Sequence, residues 1–303
     1  MSAPRMHADE VETDTALVRR LLAAQFPQWA GLAVAPALSS GTDNAMYRLG
    51  ESMAVRLPRR PSATASLAKE LAWLPALAPH LPLAIPVPLA RGAPGEGYPW
   101  AWSVCRWLAG ENPLRGHIAD PSRMAADLAD FILALRRIDP EGGPKPGTHN
   151  FWRGVTLARR DGYTREAIEA LHGAIDARAV TAAWEKDSRA PPWPSAPVWI
   201  HGDLSAGNLL AVDGRLSAVI DFGGLGVGDP ACDLIVAWSL FEGEARDALR
   251  AALAADDATW ARGRGWALST ALVALAYYEA TSTMIAEGAR RTIGAVLDDL
   301  SRT

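Results

Sequence analysis

Residues 200–229, IHGDLSAGNLLAVDGRLSAVIDFGGLGVGD, decide how this chain reads. His201-Gly202-Asp203 opens the stretch, Asn208 follows Asp203 by five residues, and Asp221-Phe222-Gly223 begins eighteen residues after Asp203. Two apolar, β-prone runs, Asn208–Val212 and Leu216–Ile220, flank the pair Asp213-Gly214. Such runs around an Asp-Gly pair predict a hairpin. A hairpin returns the chain to its start, so it brings Asn208 and Asp221 together and leaves Asp203 on the preceding loop. Two carboxylates and one amide at a single mouth suit phosphoryl transfer from a nucleotide. One carboxylate orients and deprotonates the attacking hydroxyl, while the other and the amide oxygen hold magnesium on the phosphates.

The spacing matches the H-x-D-x-x-x-x-N and D-F-G pattern of protein kinases. More closely, the segment resembles the aminoglycoside phosphotransferase family, the small-molecule branch of the kinase-like fold. That family's loop reads H-G-D-x-x-x-x-N and its metal aspartate follows in I-D-[FW]. His201-Gly202-Asp203, Asn208 and Ile220-Asp221-Phe222 satisfy both, and Asp229-Pro230 with Asp233 fits the family's tail. The resemblance is specific here and spreads more weakly over most of the chain. It implies an α+β, bilobal protein-kinase-like fold. Residues 1–107 would form an N-terminal nucleotide-covering lobe, a five-stranded antiparallel sheet with one helix. Residues 108–303 would form a mainly helical lobe for catalysis and acceptor binding. Asp203 is then the catalytic base, Asn208 and Asp221 are the metal ligands, and Asp233 anchors the catalytic loop through backbone N–H groups. His201 reads as a packed, loop-holding residue, since no second His or Cys stands at zinc-ligand spacing.

Composition agrees. A chain of 303 residues, 49% hydrophobic, can bury a sizeable core. Thirty basic against thirty-four acidic side chains give a net charge of −4, and with no long basic run nucleic acid is not an expected partner. The polar, acidic start and the lack of a spanning apolar run argue against a membrane, while the oligomeric state is left open. Cys105 and Cys232 lie far apart in apolar surroundings and read as buried thiols, which points to the cytoplasm.

Along the first third, Asp14 can cap a helix with the apolar face Leu17, Val18, Leu21 and Leu22, ending at Pro27. Strand-like runs follow near Leu32–Leu38, Ala45–Leu49 and Met53–Leu57, then a helix over Ser62–Ala78, then strands at Ile85–Ala90 and Trp100–Trp107. The loop between the first two strands holds Ser40, Gly41 and Thr42, where small residues let backbone N–H groups and hydroxyls approach a triphosphate. Arg56 departs from the family pattern. It stands in the third strand where a lysine usually contacts the phosphates, and Glu70, fourteen residues on, is its candidate partner. Arginine keeps the charge with a different fork and reach.

After Val104 the chain should cross between lobes, with backbone groups of Cys105 and Trp107 offered to a purine edge, and Ser205 near the γ-phosphate. From Pro121 helices dominate, beginning with the clean face Leu128, Phe131, Ile132, Leu135 and Ile138. Trp152, Asp161, Tyr163, Trp266, Tyr277, Tyr278 and Glu279 are acceptor-pocket candidates there. The glycines of Phe222–Gly228 run G-x-G-x-G rather than G-x-G-x-x-G, so they do not make a dinucleotide fingerprint. The expected activity is magnesium-dependent transfer of the γ-phosphate of ATP or GTP to a small hydroxylated acceptor, an antibiotic of aminoglycoside or macrolide type or a related metabolite. The alternatives are a catalytically silent nucleotide-binding pseudokinase, prompted by Arg56, and a metabolite kinase unrelated to antibiotics.

Overall fold

The computed structural model describes residues 10–37 and 43–302. Internal contacts divide the chain into two units, Met1–Ala109 with Ala218–Gly223, and Gly110–Ser217 with Gly224–Thr303. The short segment Ala218–Gly223, which carries Asp221, therefore groups with the sheet-bearing unit.

In the first unit, helix α1 (Thr15–Gln25) starts where the Asp14 carboxylate accepts a hydrogen bond from the Leu17 N–H at 2.7 Å. It buries Leu17, Val18, Leu21 and Leu22 along one face. The five strands are β1 (Val34–Pro36), β2 (Asn44–Leu49), β3 (Met53–Pro58), β4 (Pro88–Gly92) and β5 (Trp102–Arg106), in the antiparallel order β1-β2-β3-β5-β4. Helix α2 (Pro61–Leu77) is inserted after β3, with Pro61 in its first turn where a missing N–H costs nothing. The α+β class with a five-stranded antiparallel sheet is as the motif implied.

Three strand boundaries differ from the sequence expectation. β1 is shorter than Leu32–Leu38, and Leu38 with the loop residues Ser40, Gly41 and Thr42 lies outside the described residues. β4 starts at Pro88 rather than Ile85, because the Val87 N–H closes a tight turn onto the Ile85 carbonyl at 2.8 Å. β5 starts at Trp102, which is fully buried and donates its indole N–H to the Ala93 carbonyl at 3.0 Å. Trp102 thus belongs to the core, with Leu21, Leu22, Leu49, Val55, Leu57 and Val104. Because side chains alternate along a strand, Val55 and Leu57 enter this core and Arg56 between them takes the opposite face.

The second unit is mainly helical. Its helices are α3 (Pro121–Arg137), α4 (Asp161–Ala170), α5 (Ala177–Ser188), α6 (Val236–Ser239), α7 (Gly243–Ala252), α8 (Asp257–Tyr278) and α9 (Thr283–Ser301). Asp120, Asp176 and Asp256 cap α3, α5 and α8 by accepting from N–H groups three residues on. Helix α3 buries Leu128, Phe131, Ile132 and Leu135 as its periodicity predicts, while Ile138 falls just past its end. Strand β6 (Val198–Ile200) leads into the loop of His201, Gly202 and Asp203. The hairpin follows as β7 (Leu209–Val212) and β8 (Arg215–Val219), and β9 (Gly226–Gly228) pairs back onto β6. Asp213 and Gly214 both have positive φ, 50° and 74°, the backbone that a tight two-residue hairpin turn requires. No helix among the described residues is long and apolar enough to cross a membrane.

Candidate active site

The first unit holds a buried cluster of charge around Arg56. Its Nη1 pairs with the Glu70 carboxylate, and its side chain is 11% exposed against 2% for Glu70. Asn44, with its amide oxygen turned to the guanidinium, accepts from Nη2 at 3.0 Å and Nε at 3.2 Å. Asp221 Oδ1 stands 3.9 Å from Nη2. Burial alone would lower the Arg56 pKa, but Glu70 and Asp221 hold it above the usual value, so this cation is permanent. The fourteen-residue spacing therefore does bring Arg56 and Glu70 together, with Asp221 beside them.

Lys69 is the charged residue of this cluster that sequence reading missed. It is 8% exposed, and its Nζ donates to the Gly223 carbonyl at 2.7 Å, tying α2 to the Asp221-Phe222-Gly223 turn. Burial lowers its pKa to about 8 against the opposing pull of Glu70 and Asp221. Asp221 itself takes a left-handed φ of 63°, uncommon for a non-glycine residue, and accepts from the Gly223 N–H at 3.3 Å. Its side chain is about half exposed.

The expected purine edge is corrected in part. The Trp107 N–H is already committed to the Ser52 carbonyl at 2.8 Å, and Arg48 stacks on its ring at 4.2 Å. Cys105 lies inside the ladder opposite Ala54 and Pro88, with its thiol buried and its pKa raised to about 11 by that burial. The Trp107 N–H is therefore not offered to a purine edge.

In the second unit the loop that carries Asp203 is built on backbone. Asp233 is fully buried, and its two carboxylate oxygens accept from the His201 N–H at 2.9 Å and the Gly202 N–H at 2.7 Å. Burial raises its pKa, opposed by His201 and these two donors. Gly202 has φ 82°, and a Cβ there would stand 2.1 Å from the Gly224 carbonyl oxygen, so only glycine fits. His201 is fully buried, and its Nδ1 accepts from the Asp203 N–H at 3.2 Å. The Asn208 side-chain amide donates to the Asp203 carbonyl at 2.7 Å and to Asp203 Oδ2 at 3.1 Å. Ser205 closes the turn by accepting from the Asn208 N–H at 3.0 Å. The Asp203 side chain, 45% exposed, is thereby aimed without being enclosed.

Arg153 is the second residue that sequence reading missed, with its Nη2 3.3 Å from Asp203 Oδ1. The segment carrying it packs tightly on β9, for a Cβ at Gly228 would meet the Gly154 oxygen at 2.5 Å. Close packing accounts for the glycines after Phe222. Of the acceptor-pocket candidates, Trp266 is fully buried, Asp161 is engaged by Arg165 and the Trp184 indole, and Glu279 pairs with Arg290.

The donor types of Asn208 and Asp221, taken singly, suit magnesium. Asn208 spends its N–H on Asp203, so its oxygen is the atom left for a hard cation, and Asp221 presents a half-exposed carboxylate. Magnesium is typically held by one or two protein oxygens, with phosphates and water completing its shell. Among the described residues no group of three or more His, Cys, Asp or Glu is disposed to hold a metal alone.

The chain resembles known proteins over most of its length. A family model, the phosphotransferase enzyme family, matches residues 34–266, well over half of the chain. The chain belongs to that family. An aminoglycoside 3'-phosphotransferase of Escherichia coli is 42% identical over 59 residues, 20% of this chain and 22% of that protein. The chain thus matches only about a fifth of that relative's length. Among solved structures, the GDP complex of wild-type aminoglycoside 2'-phosphotransferase-IIIa is 18% identical over 95% of this chain and 100% of its own, with a TM-score of 0.71. An APH(2") enzyme with GDP and kanamycin is 19% identical over 94% and 99%, with a TM-score of 0.73. Macrolide 2'-phosphotransferase MphH from Brachybacterium faecium is 22% identical over 92% and 97%, with a TM-score of 0.63. At these identities the likeness establishes the fold.

Proposed function

We propose that this chain is a small-molecule O-phosphotransferase that moves the γ-phosphoryl group of ATP or GTP to a hydroxyl of an antibiotic or a related metabolite. The observation that carries the reading is the aimed, half-exposed carboxylate of Asp203 on a loop pinned by Asp233. The acceptor oxygen attacks the γ-phosphorus as its proton passes to Asp203. The bond from phosphorus to the bridging oxygen breaks, and the nucleoside diphosphate leaves with the electron pair. Arg56, oriented by Glu70 and Asn44, binds phosphate oxygens and stabilises the charge that develops on them. Bound magnesium would supply further neutralisation of the phosphates, and Asp221 and the Asn208 oxygen are the protein donors that would hold it.

The relatives solved with GDP, kanamycin or as macrolide enzymes motivate the donor and the acceptor class. Two free, buried cysteines and a nucleotide donor are in keeping with a cytoplasmic setting. The test is transfer from ATP and from GTP, with magnesium, to a panel of aminoglycosides, macrolides and other hydroxylated small molecules, read by the mass of the phosphorylated acceptor. Transfer to at least one acceptor, abolished by a chelator, is the expected result. Nucleotide binding without transfer to any acceptor would make the chain a silent nucleotide-binding protein.

A further inference from the structure

The surroundings of Asp203 in the second unit carry more buried positive charge than carboxylate. Arg153 lies against Asp203 with its side chain 13% exposed, and its Nη1 is buried without a hydrogen-bond partner. Its guanidinium lies 5.4 Å from the centre of the Trp266 ring, and Arg160 lies 5.4 Å from the same ring. Arg160 is 9% exposed, and its Nε donates to a neutral partner, Ser269 Oγ, at 3.1 Å. Burial, and next the charge of Arg153, lower its pKa to about 10, while Tyr163 opposes them. The other buried acids of this unit are spent elsewhere, Asp187 on Arg264, Asp229 on Arg262 and Asp233 on the His201 and Gly202 N–H groups.

Arg153 therefore has Asp203 as its one carboxylate partner among the described residues, Arg160 beside it has none, and Asp203 has another task. Uncompensated buried charge is costly, so a site that keeps it is suited to a counter-ion. The backbone supports the same view. Phe151 and Trp152, just before Arg153, hold consecutive left-handed φ values of 53° and 58°. Strain of this kind persists where the surroundings impose it and gathers at ligand-binding segments.

We propose that the acceptor carries an anionic group, a carboxylate or a phosphate, bound by Arg153 beside Asp203 with Arg160 behind it. This rests on Asp203 being the base, and it narrows the acceptor class away from polycations, whose ammonium groups two guanidiniums would repel. A planar guanidinium grips either anion through paired N–H groups. As the anion arrives, Arg153 exchanges Asp203 for it, which frees Asp203 Oδ1 for the acceptor hydroxyl.

The test is calorimetric titration of the full chain, loaded with magnesium and a non-transferable triphosphate analogue. The probes are glucuronate for a carboxylate, glucose 6-phosphate for a phosphate, glucose as the neutral control and kanamycin as the polycation. At least one anionic probe should bind more tightly than glucose and kanamycin, and which one binds identifies the anion. Arg153→Ala should weaken that binding by about tenfold or more, and Arg153→Lys should keep part of it. If the alanine variant does not fold, Arg153→Gln carries the comparison. Tighter binding of kanamycin, binding of neither anionic probe, or equal anion affinity in wild type and variant would overturn the proposal. So would anion binding to the nucleotide-free chain that the analogue displaces, since Arg153 would then serve the transferred phosphoryl group. Failure of the kinase reading would show separately, as loss of analogue binding or of transfer.

Discussion

The loop around Asp203 and the cluster around Arg56 reach order by opposite means. The loop is held by backbone amides on a buried carboxylate, with distances of 2.7 and 2.9 Å from Asp233 to Gly202 and His201. The cluster is held by side chains, with Arg56 set between Glu70, Asn44 and Asp221. A backbone-built loop keeps its shape whatever the Asp203 side chain becomes. A side-chain-built cluster changes when any one charge is altered. The two regions should therefore fail differently, the first in chemistry alone and the second in phosphate binding and chemistry together.

The sharpest break in the cluster is Arg56→Ala, which should lower turnover by about 10²-fold or more and weaken nucleotide binding. Arg56→Lys should keep most of the activity, because the charge remains on the strand face opposite the core. Glu70→Gln should fall between wild type and Arg56→Ala, since it removes the orienting partner and leaves the phosphate contact. Steady-state kinetics on the three variants check that order. An Arg56→Ala enzyme as active as wild type would remove the cluster from the phosphate site.

The smallest effect concerns Lys69. Its folded pKa of about 8 lies below the ordinary lysine value of 10.5 because of burial. Between those values the unfolded chain binds more protons, so raising the pH favours the fold. Below about 8 both states hold the proton and the cost is constant. The stability of wild type relative to Lys69→Met, measured by denaturant unfolding, should therefore rise between pH 8 and about 10. A flat difference across that range would contradict the placement of a charged Lys69 in the cluster.

These two regions were not equally legible in the sequence. The hairpin could be read because the Asp213-Gly214 turn announces it, and the contact of Asn208 with Asp203 because a short loop fixes their spacing. Arg56 and Glu70 could be read as well, from strand alternation and the helix that follows. Lys69 was not seen, because it sits beside Glu70 on a helix and nothing in the spacing says that both side chains are buried. Asn44 and Arg153 reach their partners by tertiary packing, Arg153 from fifty residues before Asp203 in a turn-rich segment with no periodic signal. The Trp107 backbone was misjudged for the same reason, since its partner, Ser52, is visible only once the strands are paired.

The central claim is that Asp203 serves the acceptor hydroxyl and not the nucleotide. Turnover and nucleotide affinity should be measured together on Asp203→Asn. The account predicts a fall in turnover of about 10²–10⁴-fold with nucleotide affinity nearly unchanged. Turnover close to wild type, or a matching collapse of nucleotide affinity, would contradict it.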